Sequence, residues 1–422
     1  MPEDAEGPAP TPSLYSGNAP DVFWRLLMRQ PPEAEEWAAA VAAAAVELPA
    51  EVRAGSTLDA ILFNSLGEGQ FGPEHWNLDR WRRAYYRLKP MLPRSLTRWM
   101  RLVHRRRAES AFPLGWPVEP RFVRFQERTV AVLLERAGLT SASFIHFWPA
   151  QRRFALVLTH DVETATGQAF VHRVADLEER LGFRSSFNFV AEDYRLDHGL
   201  IADLRARGFE IGLHGCKHDG RLFSSRRTFV QRARRINEHL KALGAAGFRS
   251  PLTHRQPAWM QDLDIQYDLS FFDSDPYEPV SGGVMTIWPF RMGRFVELPY
   301  TLAQDHTLFW VLGERTPRLW LEKLDFVRAH CGLALLNTHP DYLKTPGCGR
   351  LYEALLDRLQ LLADDFWHAL PGEVARWWAG RADSSNPPYL PGAITAQLEV
   401  AKGELHVSLS DSKREVEATA GA

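Results

Sequence analysis

Phe209-Glu-Ile-Gly-Leu-His214-Gly-Cys-Lys-His218 is the stretch that decides how this chain is read. Phe209 to Leu213 is an apolar run of strand length, and it ends where the first imidazole appears. A histidine at a strand end and a second four residues on, over the first turn, can converge on one divalent ion. A third ligand must come from elsewhere, which leaves an open position for water. Upstream, Val157-Leu-Thr-His-Asp161-Val-Glu163 is a second apolar run that ends in acids, and it supplies the candidates. Cys216 lies between the two histidines, but adjacent strand or turn positions point away from each other, so it is not expected to join them.

A chain of 422 residues allows one large domain or two to three ordinary ones. With 45% hydrophobic and 24% charged residues it has the balance of a soluble globular enzyme, and a net charge of -2 makes no case for a nucleic-acid partner. Three cysteines (Cys216, Cys331 and Cys348) form no pairable framework, which favours a reducing compartment. The opening Met1-Pro-Glu-Asp-Ala-Glu-Gly-Pro-Ala-Pro has neither the basic nor the apolar region of a secretory signal. The apolar run Ala38 to Val46 is far shorter than the roughly 20 residues that span a bilayer. A cytoplasmic location is the expectation.

Residues 1–20 read as a disordered, proline-rich tail and 21–110 as a helical segment in which Asp21 caps the first helix and Pro31-Pro32 stops it. Within that segment Trp24, Trp37, Trp76, Trp81 and Trp99 are too many large aromatics to face water. Arg94 to Arg107 is basic and amphipathic; around Arg101 it reads either as a membrane-surface helix or as a solvated arginine face over a packed Leu96/Trp99/Val103 stripe. From 147 to 378 strands alternate with helices, which argues for parallel strands joined by crossover helices, with functional residues at the strands' C-terminal ends. A helix is expected from Arg350 to Leu370, and period-two alternation across Lys402-Gly403 predicts a β-hairpin over 390–410.

In order, the strand-end motifs are Thr159-His-Asp-Val-Glu163, His214-x-x-x-His218, Phe248-Arg-Ser-Pro251, Tyr267-Asp-Leu-Ser270 and Leu336-Asn-Thr-His339-Pro. This series resembles the polysaccharide deacetylase family, the NodB-homology group of carbohydrate esterases. The resemblance implies an α/β fold, a distorted (β/α) barrel of fewer than eight strands, carrying here an N-terminal helical extension and a C-terminal β-hairpin tail. It also implies metal-assisted hydrolysis of an N-acetyl group on a sugar, with a divalent ion, zinc by preference, as cofactor.

The chemistry asks for the same parts. An amide is a poor electrophile, so a Lewis acid must polarise its carbonyl and acidify water from near 15.7 towards about 7. A carboxylate must then take a proton, and an acid must protonate the departing nitrogen. Asp161 suits the base and His339 the acid, while Arg249 is similar to the family arginine that pairs with the base. Asp268 is as well suited to a turn or cap. The commonest family pattern at the first motif, Thr-Phe-Asp-Asp-Gly, has adjacent aspartates; here Val162 intervenes and the next acid is Glu163. Residues two apart on a strand share a face, so Asp161 as base and Glu163 as ligand beside His214 and His218 divide the roles, with the exchange left open. Asp305 and His306 either line the substrate site or begin a capped helix. Hydrolysis of another amide, a formamide or a cyclic ureide, and a scaffold without turnover, remain as alternatives.

Overall fold

The computed structural model describes residues 14–73, 75–76, 111–382, 395–401 and 403–409. Phe154–Val162 (β1) is buried along its whole length, as befits a parallel strand with barrel interior on one face and helices on the other. From it the chain adds Ser186–Phe189 (β2), Glu210–Leu213 (β3), Gly247–Phe248 (β4), Tyr267–Asp268 (β5), Phe295–Glu297 (β6) and Leu333–Thr338 (β7). They lie side by side in the order β7, β1, β2, β3, β4, β5, β6, all parallel. Beyond β6 the chain runs on to a parallel bridge between Leu302 and Leu336 of β7, so the sheet closes through seven strands. This is the expected distorted α/β barrel; seven strands make its ring, and Phe290–Met292 and Phe366–His368 bring the whole sheet to nine.

Side-chain caps set the helix starts. Thr164, Asp197 and Ser225 accept from the backbone N–H groups of Gly167, Leu200 and Thr228 at the heads of Ala165–Arg180, His198–Ala206 and Arg226–Leu243. The distortion lies on the other side of the ring. Short turns, Pro251–Thr253 and Pro257–Met260, join β4 to β5, and the antiparallel strand Phe290–Met292 precedes β6 where a crossover helix would stand.

A second sheet orders Leu26–Leu27, Ser141–Ile145, Thr395–Ala401 and Glu404–Ser408. The expected hairpin is present in it, with Gly403 at φ 82° in the turn. Leu26–Leu27, expected within a helical segment, is instead an edge strand between the helices Pro20–Trp24 and Ala34–Ala44. Residues 14–20, expected in a disordered tail, pack down: Tyr15 is fully buried, its ring centroid 6.3 Å from Phe63 and 6.4 Å from Phe290. The helix expected to reach Leu370 stops at Gln360. Phe366–His368 then lies beside the first residues of β1, where an apolar strand finds a free edge. The basic segment near Arg101 and the residues Trp81 and Trp99 lie outside the described residues. Among those described, no helix is long and apolar enough to cross a membrane.

Two buried arginines fasten the flanking segments. Arg381 donates to the carbonyls of Phe23 (2.6 Å), Ile145 (2.7 Å) and His146 (3.0 Å) and lies 4.8 Å over the Phe147 ring. Arg255, on the loop after β4, makes a two-pronged pair with Glu68 at 2.6 and 2.5 Å, and both side chains are fully buried. Trp24 and Trp76 are buried here too, whereas Trp37 is half-buried.

Burial alone would raise the Glu68 carboxyl, but Arg255 and His75 hold it down at about 2. That is below the unfolded value of about 4.3. The stabilisation is therefore complete above about pH 4.3 and fades as the pH falls towards about 2. Glu68→Gln should cost about 3–5 kcal/mol at neutral pH by leaving Arg255 buried and unpaired. Denaturant unfolding across pH should also give a shallower acid limb in this variant; an unchanged profile would show that the pair contributes nothing.

Candidate active site

Alternation along β1 decides what enters the barrel. Thr159 and Asp161 point inward, whereas His160 points outward and is held by Thr338 (2.7 Å) and Glu178 (2.6 Å). Asp161 is buried, and donors from three other strands meet it. Asn188 of β2 donates to Oδ1 at 3.0 Å, Asn337 of β7 donates to Oδ2 at 2.8 Å, and Arg249, just past β4, reaches Oδ1 at 3.2 Å. Arg249 also donates to Thr159 Oγ1 at 2.9 Å and to the Leu269 carbonyl at 2.8 Å. Gly212 makes room for this: a Cβ there would stand 2.1 Å from Asn188 Oδ1. Burial would raise the Asp161 carboxyl; Arg249, His214, His339 and the Asn188 amide outweigh it and hold the group well below the carboxylate range.

Glu163, two residues on, has different company. Its Oε1 is 2.9 Å from His218 Nε2, 3.5 Å from His339 Nε2 and 3.8 Å from His214 Nε2. His214 donates from Nδ1 to the Arg249 carbonyl at 3.1 Å, which turns the lone pair of Nε2 towards Glu163. The His218 backbone N–H is fixed by Asp193 at 2.7 Å, and Gly215 at φ 73° makes the turn between the two histidines. One ligand atom from each of Glu163, His214 and His218 fits within a span of 4.8 Å. Nε2 of His214 and of His218 are buried without a well-formed hydrogen bond. Such orphaned nitrogens beside a carboxylate oxygen fit a divalent ion as three ligands of a tetrahedral site with one open position.

His339 closes the cluster. Its Nδ1 donates to Asp305 Oδ1 at 2.7 Å and its backbone N–H to Oδ2 at 2.7 Å. Burial would lower this imidazole, but Asp305 and Glu163 raise it well above the ordinary histidine value. Burial likewise opposes charge on His218, and Glu163 raises it. Tyr342 stands with its ring centroid 4.9 Å from that of His339.

All six residues singled out from sequence (Asp161, Glu163, His214, His218, Arg249 and His339) meet at the C-terminal end of the barrel. Asp268 does not join them; it accepts from Ser270 N and Oγ at 3.1 and 2.8 Å, a local cap that ends β5. Asp305 caps His306–Leu312, one of the two readings considered for it, and in addition it orients His339. Asn188 and Asn337 went unmarked, although each is a polar residue inside an apolar strand and Asn337 lies within the last motif.

No protein-family model matches the chain, and no curated protein matches it. Among solved structures it is similar to a candidate polysaccharide deacetylase from Mycobacterium smegmatis, with 18% identity and a TM-score of 0.46 over 58% of this chain and 96% of that one. It is similar to PuuE allantoinase, with 18% identity and a TM-score of 0.44 over 58% and 95%. A peptidoglycan deacetylase, PdaC from Bacillus subtilis, gives 11% identity and a TM-score of 0.37 over 56% and 95%. At these values no residue's role carries over, and the roles rest on this chain's own geometry.

His214→Ala, His218→Ala and Glu163→Gln should each lose retained divalent metal with the circular dichroism of the fold unchanged. Loss of one of three ligands leaves a pair that cannot hold the ion. A metal count per chain unchanged from wild type in any of the three would place the ion on other residues.

Proposed function

We propose that this chain is a metal-assisted amide hydrolase, an N-deacetylase acting on an acetamido sugar or sugar conjugate. The observation that supports it most is the convergence of three imidazoles on Glu163 Oε1 beside the separately held carboxylate of Asp161. When bound by Glu163, His214 and His218, a divalent ion, zinc by the chemistry of this donor set, supplies the Lewis acidity that a poor electrophile needs.

The chain's own groups account for the proton movements. Asp161 takes the proton of the attacking water. Arg249 and the Asn188 and Asn337 amides hold that carboxylate aimed and ionised. His339 presents Nε2 to the same space while Asp305 fixes its Nδ1, so it delivers a proton to the departing nitrogen. Exclusion of Asp161 from the ligand-spaced group of Glu163, His214 and His218 supports this division of the two acids over its exchange. Three buried, unpaired cysteines suit a reducing compartment. The substrate is then an intracellular nucleotide-linked, lipid-linked or small glycoside intermediate.

A panel of N-acetylated sugars assayed for acetate release, on protein whose metal content is measured in parallel, tests the proposal directly. Metal-loaded protein that releases acetate from none of them would sink it. Asp161→Asn should keep the ion and lose turnover by about a hundredfold to ten-thousandfold. If that variant loses the ion while Glu163→Gln keeps it, the two acids have exchanged roles.

His339→Ala should slow amide substrates far more than activated esters, whose leaving groups need little protonation. Equal losses on amide and ester would make His339 a positioning group.

A further inference from the structure

The loop that carries His214 and His218 has a second polar cluster on its outer side. Cys216 is buried, its Sγ 4.0 Å from the Arg232 carbonyl and turned towards the Glu192 carboxylate, with which it interacts. Facing it are the Glu192 carboxylate, from the loop after β2, and the His239 imidazole, from the helix Arg226–Leu243. His239 Nε2 is 2.9 Å from Glu192 Oε1, and one ligand atom from each of the three residues lies within a span of 4.8 Å. The loops are laced together by the backbone: Glu192 N–H donates to the Cys216 carbonyl at 2.9 Å and Ala191 N–H to the Gly215 carbonyl at 3.1 Å.

We propose that Glu192, Cys216 and His239 form a second metal site, taking one zinc-class ion through a thiolate, an imidazole nitrogen and a carboxylate oxygen. The donor set is one that zinc accepts, at about 2.3 Å for sulfur and about 2.0–2.2 Å for nitrogen and oxygen. Glu192 Oε1 and His239 Nε2 already stand at the separation of two ligands on one ion, so only the sulfur has to close in. Thiolate and carboxylate together balance a divalent charge. Arg235, paired with the other oxygen of Glu192, then serves as the outer partner that orients the ligand. Arg232, the other nearby cation, is engaged by both oxygens of Asp219 at 2.7 Å. Fixing this cluster ties the histidine loop to the β2 loop and to the long helix, independently of whether the first site holds an ion.

The two sites differ in one spectroscopic respect: the group at Glu163 contains no sulfur. Cobalt(II)-loaded full-length protein should therefore show a near-ultraviolet thiolate-to-cobalt charge-transfer band arising from the second site alone. Cys216→Ser should abolish that band and lower bound metal by one ion per chain, whereas His214→Ala should keep the band. His239→Gln, on a partly exposed helix face, gives a second reading should Cys216→Ser fail to fold, and should weaken or shift the band. A cobalt-loaded wild type without the band, or a band and ion count unchanged in Cys216→Ser or in His239→Gln, would overturn the proposal.

Discussion

Asp161 carries its charge into the closed interior of the barrel, and the rest of the site is arranged around making that tolerable. A carboxylate removed from water is costly unless it is paired and its oxygens are hydrogen-bonded. Two of the compensating groups come from the strands on either side, Asn188 on β2 and Asn337 on β7, and the third, Arg249 after β4, comes from across the ring. They reach Asp161 only if the strands hold one register, with Asn337 opposite Thr159 and Asn188 opposite Asp161. A one-residue slip would turn each inward group outward. Closure of the sheet and ionisation of Asp161 are thus one constraint seen from two sides.

Two carboxylates two residues apart end in unlike surroundings, and this separates what they can do. Asp161 accepts from two amides and a guanidinium, which leaves one lone pair for a proton, whereas Glu163 faces imidazoles whose buried nitrogens lack well-formed bonds. A group already surrounded by fixed donors is aimed but has no room for an ion. A group facing nitrogen lone pairs can share one. Val162 between them points away from both, so the spacing that departs from adjacent aspartates also keeps the two charges on one face but apart.

The long apolar strands and the acids and histidines at their ends were legible because burial and polarity alternate there in a regular way. β1 and β7 were recognisable from their apolar runs alone. β4 and β5, only two residues each, carry no period, and of the readings open for Asp268 its bonds to Ser270 select the cap, at the last residue of β5. The Asn188 and Asn337 amides leave no spacing signal, since their meaning lies in a partner 27 or 176 residues away. The same holds for Asp305 and His339, separated by 34 residues. Leu26–Leu27 and Phe366–His368 became strands because sheet edges waited for them, which is tertiary context overriding local preference.

Among the described residues the N-terminal segment supplies none of the ligand-spaced groups, yet it is joined to the site by a run of polar contacts. Glu68 holds Arg255, and Arg255 donates to the Thr253 carbonyl at 3.0 Å. Thr253 Oγ1 donates to Glu278 at 2.7 Å, and Gln304 Nε2 donates to the other Glu278 oxygen at 2.7 Å. Asn337 Nδ2 then reaches both Gln304 Oε1, at 3.2 Å, and Asp161 Oδ2, at 2.8 Å. Where β4 and β5 are too short to brace their own loops, this chain of polar contacts takes the place of sheet. Burial lifts the Glu278 carboxyl above its usual range, so the chain is stable only while every donor in it is seated. The side of the barrel with the shortest strands is therefore braced from outside it, and the N-terminal segment reaches the site through this relay rather than by lining it.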